Sequence, residues 1–164
     1  MERMNSSLES VLERLKSEGE TIVFTNGVFD LLHAGHVTYL RGARELGHRL
    51  VVGVNSDSSV RTLGKGPERP INDEGSRKLV LEALRSVDLA VVFSAETPLE
   101  LIKQIRPDVL VKGGDYDPDV KDANSPSYIV GSHEVSKYGG KVAVLPFLAG
   151  HSTTAMLQKS RSKD

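Results

Sequence analysis

Two histidines three residues apart, His33 and His36, follow an apolar run at 21–26 and stand where a helix is predicted to begin. Imidazole N–H donors beside a helix N-terminus suit phosphate oxygens and the charge that grows during phosphoryl transfer. Gly27 and Gly35 lie in the same segment, and glycine lets a ligand approach the backbone closely. In an open α/β sheet, the turn from strand to helix is a common phosphate site. The spacing therefore predicts an anion-binding turn.

The same segment has three other interpretations. Asn26-Gly27 is typical of a two-residue hairpin turn, although no alternating strand follows it. Asp30, His33 and His36 could instead ligate a metal ion, because residues three apart share one face of a helix. Either histidine could also be a structural residue whose ring is satisfied by its neighbours.

A second candidate anion site precedes the last predicted helix. Gly150, Ser152, Thr153 and Thr154 offer hydroxyls and free backbone N–H groups at a helix start. Ordinary N-capping is the alternative, since serine and threonine are common caps. The sequence leaves both interpretations open.

Three cations, Lys65, Arg69 and Arg77, lie in or near a loop at 64–70 that is rich in glycine and proline. Lysine and arginine at such a loop could clamp a polyphosphate. The alternative is a solvated, charged loop. The Gly-Lys-Gly sequence at 64–66 lacks the spacing of a Walker motif, so it does not predict a P-loop.

A pair of glycines closes another apolar run, at Lys112-Gly113-Gly114. Backbone without side chains could pack against a flat ring or a phosphate, and a simple glycine turn is the alternative. Asp57 and Asp115 follow strands and could serve Mg²⁺ or polar ligand groups. The chain shows no nucleophile elbow and no Ser-His-Asp order.

Short apolar runs alternate with helical patterns, which predicts an α/β fold. We expect an open parallel five-stranded sheet with helices on both faces, in one domain over 1–164 with a mobile loop at 117–128 and a disordered tail at 160–164. Thr97 is the predicted N-cap of one helix, with Pro98 at its first position. The predicted strands are 21–26, 49–54, 88–93, 108–112 and 141–145, and the other predicted helices are 6–17, 36–46, 73–84, 132–138 and 152–159.

Polar clusters follow the predicted strands at 26–36, 55–57, 112–116 and 146–154. Because parallel strands place their carboxyl ends at one edge of a sheet, these clusters should build a single site there.

Composition narrows the class of protein. The 164 residues carry a formal net charge of −1, which argues against a nucleic-acid binder, and contain no cysteine, which excludes disulfides and thiolate catalysis. No apolar run approaches the roughly 20 residues of a membrane span. The first residues lack the apolar region of a signal peptide, so we expect a cytoplasmic protein with no membrane partner.

Five blocks together resemble a known family. The blocks at 25–36, 54–57, 65–72, 107–116 and 150–154 are similar to the nucleotidyltransferases of the histidine-x-glycine-histidine superfamily. The later blocks are most similar to its heptose 1-phosphate adenylyltransferase branch. The likeness covers 8–159 and implies a Rossmann-like nucleotidyltransferase fold. The loop at 117–128 is longer than this branch leads us to expect, and we expect a nucleotidyltransferase without an attached sugar-kinase domain.

The resemblance implies that ATP and D-glycero-D-manno-heptose 1-phosphate give ADP-heptose and pyrophosphate, with Mg²⁺ bridging phosphate oxygens. The product would be a precursor of lipopolysaccharide core or other surface glycans. A separate heptose kinase and a phosphatase would act in the same pathway. We expect the protein to form a homodimer or a higher homo-oligomer. The sugar phosphate is already anionic, so catalysis should need positioning and charge stabilisation rather than a general base.

The resemblance also implies roles for individual residues. The catalytic residues that stabilise phosphate charge would be His33, His36, Lys65 and Arg69. The nucleotide and its phosphates would contact Thr25, Asn26, Gly27, Phe29, Gly35, Lys112, Gly113, Asp115, Gly150, Ser152, Thr153 and Thr154. The substrate would contact Asp30, Asp57 and Arg77.

Three other functions stay open. A cytidylyltransferase acting on glycerol 3-phosphate or a similar small phosphate is the nearest, because base choice depends largely on backbone contacts. A metal-dependent hydrolase would use Asp30, His33 and His36 as ligands. A nucleotide sensor would bind ATP without releasing pyrophosphate.

Overall fold

Five parallel strands form one sheet in the computed structural model, which describes residues 6–64 and 66–161. The spatial order is β3-β2-β1-β4-β5, and every neighbouring pair is parallel. This confirms the predicted fold class, and each predicted strand agrees with the structure to within one residue at either end. The strands are β1 Ile22–Gly27, β2 Arg49–Asn55, β3 Leu89–Phe93, β4 Val109–Gly113 and β5 Lys141–Leu145.

Helices connect the strands, and several of them differ from the predictions. The helix predicted at 36–46 lies at Ala34–Arg44, and the one predicted at 73–84 ends at Glu82. Sequence reasoning missed the short helix at 57–62, which Ser56 caps by accepting a hydrogen bond from Ser59 N at 3.1 Å. Helix α5 begins one residue later than predicted, because Pro98 is its N-cap and makes no side-chain cap bond. The helices are α1 Ser6–Ser17, α2 Ala34–Arg44, α3 Asp57–Thr62, α4 Glu74–Glu82, α5 Leu99–Ile105, α6 Ser132–Lys137 and α7 Thr153–Arg161.

Two apolar layers cover the two faces of the sheet. Alternate residues of β1 point to opposite faces, so Phe24 packs in one layer with Ile102 of α5, and Val23 packs in the other with Leu40 of α2. All four side chains are fully buried. Each contributes roughly 1.5–3 kcal/mol relative to an exposed side chain. Because helices cover both faces of the sheet, a ligand can approach the strands only at their ends.

The strand order creates a crevice beside β1. The chain leaves β1 toward β2 on one side and later crosses to β4 on the other side. The segments that follow β1 and β4 therefore diverge, and ligands of open α/β sheets bind where this happens.

Arg77 of α4 ties the carboxyl ends of β1 and β2 together. Its Nη1 donates to Val28 O at 2.8 Å and to Asn55 O at 2.7 Å, and its Nε donates to Asn72 O at 2.9 Å. Its Nη2 lies 2.7 Å from Asp57 Oδ1. The side chain is 1% exposed, so the prediction that Arg77 and Asp57 bind substrate is wrong. They hold the frame of the site instead.

Two predictions fall partly or wholly on residues outside the described ranges. Lys65 lies there, as do residues 162–164 of the predicted tail. The tail does not begin at 160, because α7 continues through Arg161. Within the described ranges, none of the helices has the length and apolar character that crossing a membrane requires.

Arg77→Met should lower the free energy of unfolding by about 3–5 kcal/mol, because it leaves Asp57 and buried carbonyls without their donor. Urea unfolding followed by circular dichroism measures the change. Arg85→Met is the matched control, since Arg85 is exposed, and it should stay within about 0.5 kcal/mol of the parent. Equal stability of the two variants would contradict the structural role of Arg77.

Candidate active site

Two adjoining cavities open at the carboxyl edge of the sheet, beside β1. We call the first the histidine half; it has a volume of about 460 Å³ and is lined by His33, His36, Arg69, His151, Ser152, Thr153 and Thr154, among others. We call the second the lysine half; it has a volume of about 530 Å³ and is lined by Asn26, Gly27, Asn55, Glu96, Lys112, Gly113, Tyr116 and Tyr128, among others. Both halves share Val28, Phe29, His36, Tyr39 and Phe147.

The two histidines lie in contact at the start of α2. Their rings stack with centroids 3.9 Å apart and an interplanar angle of 27°. His33 is the N-cap of α2 but makes no side-chain cap bond, so its ring faces the cavity instead of the helix end. A Cβ at Gly35 would lie 2.9 Å from the His33 ring and 3.1 Å from His151, so only glycine leaves room for both.

The surroundings of His33 favour the neutral form of its ring. Burial, and secondarily the nearby His151, lower the pKa of His33 below its ordinary value. Its Nδ1 is buried and has no hydrogen-bond partner among the described residues. A buried, unsatisfied ring nitrogen costs free energy unless a ligand completes it. The site therefore gains by binding a group that hydrogen-bonds this ring.

Arg69 enters the histidine half because Asp30 holds it. The Asp30 carboxylate accepts from Arg69 Nε at 2.5 Å, from Ile71 N at 2.9 Å and from Asn72 N at 2.9 Å. Hydrogen bonds from this loop and the guanidinium lower the pKa of Asp30 despite the opposing effect of its burial.

The Asp30 side chain is fully buried, so its predicted contact with substrate is wrong and it instead positions Arg69. The same bonds leave the carboxylate unavailable to a metal ion. Among the described residues, no three His, Asp or Glu side chains are placed to hold one.

Helix α7 begins at the far wall of the histidine half. Ser152 Oγ accepts from Ala155 N at 3.0 Å, which confirms the N-cap interpretation for this serine. Thr153 Oγ1 donates to Leu31 O at 3.4 Å and so joins α7 to the segment that carries the histidines. Gly150 has a φ of +78° and does not line either half.

Lys112 is the one lysine or arginine that the described part of the chain places in the lysine half. Its Nζ bonds Asn26 Oδ1 and lies 5.7 Å from the centroid of the Tyr116 ring. Burial lowers the pKa of Lys112 to about 8.

Thr25 does not reach the cleft, contrary to its predicted phosphate contact. It is fully buried, and its Oγ1 lies 2.7 Å from the Tyr39 hydroxyl. That hydroxyl also donates to Val111 O at 3.3 Å, and burial raises the pKa of Tyr39 to about 12. Thr25 therefore orients Tyr39, which lines the site, and does not itself contact a ligand.

The paired glycines after β4 do pack against a flat ring, which belongs to Phe147. A Cβ on Gly114 would lie 2.1 Å from that ring, and Gly114 has a φ of +75°. Phe147 itself is 66% exposed. Its ring covers the diglycine backbone with one face and stands at the junction of the two halves.

The structure brings most predicted site residues together and adds several. Asp115 is exposed and lines neither half. Two added residues had a sequence signal: Tyr39 lies three residues after His36 on the same helical face, and Phe147 lies two residues after the end of β5. Tyr128 and Glu96 come from irregular segments whose position no periodicity predicts.

Comparisons with known proteins agree with this geometry. The family model described as cytidylyltransferase-like matches residues 24–159. The bifunctional protein HldE of Syntrophotalea carbinolica is 50% identical over 157 residues, which are 96% of this chain and 30% of that protein. The bifunctional protein HldE of Magnetococcus marinus is 53% identical over 148 residues, which are 90% of this chain and 28% of that protein. The chain thus spans less than a third of these relatives.

A solved structure is also similar. The crystal structure of the lipopolysaccharide core biosynthesis protein from Thermoplasma volcanium has a TM-score of 0.60 and 32% identity. The match covers 79% of this chain and 98% of that one.

Inorganic pyrophosphate should bind the histidine half, and Arg69→Met should weaken that binding at least about tenfold, the scale for losing one charged hydrogen-bond donor. Isothermal titration measures the affinity. Arg61→Met is the control, because Arg61 is exposed on α3. Unchanged affinity in a folded Arg69→Met variant would remove Arg69 from the anion site.

Proposed function

The chain belongs to the cytidylyltransferase-like family, and we propose that it transfers the adenylyl group of ATP to D-glycero-D-manno-heptose 1-phosphate. The products are ADP-heptose and pyrophosphate. The observation that carries this proposal is the histidine half. It joins two stacked histidines, a buried arginine and two helix starts around a cavity beside the central strand.

The histidine half suits a leaving pyrophosphate. His33 and Arg69 present ring and guanidinium donors, and the first turns of α2 and α7 point positive dipole ends toward the same space. Donors fixed before the reaction stabilise charge that develops on the leaving group without further reorganisation. Asp30 and Arg77 keep this wall rigid through buried hydrogen bonds.

The proposed step is one in-line displacement. An oxygen of the sugar phosphate forms a bond to the α-phosphorus of ATP, and the bond from that phosphorus to the pyrophosphate oxygen breaks. The nucleophile is anionic at neutral pH, so the residues need only bind, orient and exclude water. His36 lines both halves, and this supports a role for its ring beside the phosphorus in transfer.

Mg²⁺ would neutralise phosphate charge as the ATP chelate. Among the described residues, Asp30 and Glu96 are the carboxylates that line the two halves, and Asp30 is committed to backbone N–H groups and to Arg69. The donor set therefore fits an ion held mainly by phosphate oxygens.

The choice of sugar and base rests on similarity. The blocks of the heptose branch, the relatives named HldE and the structure titled as a lipopolysaccharide core biosynthesis protein support a heptose substrate. We propose that a heptose kinase and a phosphatase catalyse other steps of the same pathway. We place the reaction in the cytoplasm, in a homo-oligomer. The exposed apolar side chains of Leu79 and Val80 on α4 support self-association.

A metal-dependent hydrolase is disfavoured by the bonds of Asp30, which deprive that site of a ligand. An assay of pyrophosphate release distinguishes the proposed adenylyltransferase from a cytidylyltransferase and from a nucleotide sensor.

Pyrophosphate release should be fastest with ATP and heptose 1-phosphate when ATP, CTP, GTP and UTP are each paired with heptose 1-phosphate, glucose 1-phosphate and glycerol 3-phosphate. A coupled pyrophosphatase assay measures it. Preference for CTP and glycerol 3-phosphate would identify a cytidylyltransferase. ATP binding without pyrophosphate release from any pair would identify a sensor.

His36→Ala should lower turnover by about 100-fold or more, the scale for losing one oriented transition-state donor. Single-turnover kinetics with saturating ATP and heptose 1-phosphate measure the effect. His133→Ala is the control, because His133 is exposed on α6 and lines neither half. Turnover equal to that of the parent in a folded His36→Ala variant would overturn this role.

A further inference from the structure

Lys112 carries a charge that the free protein does not neutralise. Its Nζ bonds the neutral side-chain amide of Asn26, and the ion pairs of the described residues do not include it. A half-buried ammonium with no counter-ion loses hydration without recovering it from a carboxylate. The lowered pKa of Lys112, about 8, is the consequence of that burial. A bound anion would therefore stabilise the ammonium group of Lys112.

The position of Lys112 selects which anion that is. The side chains of Arg69, His33 and His151 line the histidine half only. Lys112 lines the lysine half only. In an in-line displacement, the attacking and leaving oxygens stand on opposite sides of the phosphorus. If pyrophosphate leaves into the histidine half, the attacking group must come from the lysine half.

We propose that Lys112 is a catalytic residue that binds the attacking phosphate of the sugar phosphate, with Asn26 orienting its ammonium group. This rests on the proposed function, and it replaces the nucleoside contact that family resemblance implies for Lys112. Lys112 holds the nucleophile against repulsion from the ATP phosphates. The His36 ring, which lines both halves, then stands between the two anions.

Asn26 has a specific part in this arrangement. Its amide oxygen accepts from Lys112 without neutralising it. A carboxylate at the same place would form an ion pair with Lys112 and compete with the substrate phosphate. Asn26→Asp should therefore raise KM for the sugar phosphate in the same direction as loss of Lys112.

Lys112→Met should raise KM for heptose 1-phosphate by about 30-fold, within the range for losing a charged hydrogen bond. The affinity for a non-hydrolysable ATP analogue, titrated without sugar phosphate, should change less than about threefold, the size expected when no contact to that ligand is lost. Lys141→Met is the matched control, since Lys141 is exposed at the amino end of β5, whereas the site lies at the carboxyl ends of the strands. A loss of ATP-analogue affinity with unchanged KM for heptose 1-phosphate would overturn the proposal.

A pH profile separates charge from packing. In the parent, KM for heptose 1-phosphate should rise above pH 8, because Lys112 loses its proton there and with it the attraction for the phosphate. Lys112→Arg keeps its charge, so the rise should vanish. The other titratable side chains in this half, His36, Tyr39, Glu96, Tyr116 and Tyr128, are the same in both proteins. An identical rise in Lys112→Arg would contradict the assignment.

One binding measurement keeps this proposal separate from the choice of sugar. Inorganic phosphate is titrated into the parent and into Lys112→Met, each saturated with the ATP analogue. The parent should bind phosphate about 30-fold more tightly, the scale of one charge-assisted contact. Equal binding would overturn the role of Lys112 even if pyrophosphate release confirms the reaction. If the parent still binds phosphate more tightly than Lys112→Met but no pyrophosphate is released, the proposed function is overturned and the role of Lys112 in binding phosphate is not.

Discussion

The buried guanidinium of Arg77 is the constraint on which the rest of the site depends. It binds the carbonyls that follow β1 and β2, the carbonyl of Asn72 and the carboxylate of Asp57. Carbonyls at strand ends have no partner in the sheet, and leaving them buried and unpaired is costly. One planar side chain with five donors satisfies several of them at once. The ends of two central strands therefore have one fixed arrangement.

Asp30 extends this frame into the cleft. Because Arg77 fixes Asn72, the loop that Asp30 binds is held from both sides, and Arg69 is delivered to the histidine half. Stacked histidines and a low pKa at His33 keep that half weakly charged until an anion arrives. In the other half, burial lowers the pKa of Lys112 to about 8, so its ammonium group is partly desolvated but still charged at neutral pH. The cleft thus holds two partly desolvated sets of donors, which bound phosphate groups would complete.

Sequence reasoning predicted the sheet and the edge where the site lies, but not which polar residues face the ligand. The strands were predictable because β-branched runs and strand-end polar clusters are local signals. Thr25, Asp30, Asp57 and Arg77 were misassigned because a polar residue at a strand end serves either a ligand or a neighbouring backbone, and only tertiary packing decides. Helix α3 was missed because its six residues have little apolar periodicity. The sequence suggested that a ligand ring or phosphate could pack on the glycines at 113–114. In the structure the ring that covers Gly114 is the side chain of Phe147.

We propose that positioning and charge stabilisation drive a single displacement at the α-phosphorus. The stereochemical course tests this directly: the Sp isomer of adenosine 5′-O-(1-thiotriphosphate) is converted with heptose 1-phosphate, and the configuration of the product at phosphorus is read by ³¹P NMR. One in-line attack by the sugar phosphate predicts inversion. Retention would require two displacements through a covalent adenylyl-enzyme and would contradict the account.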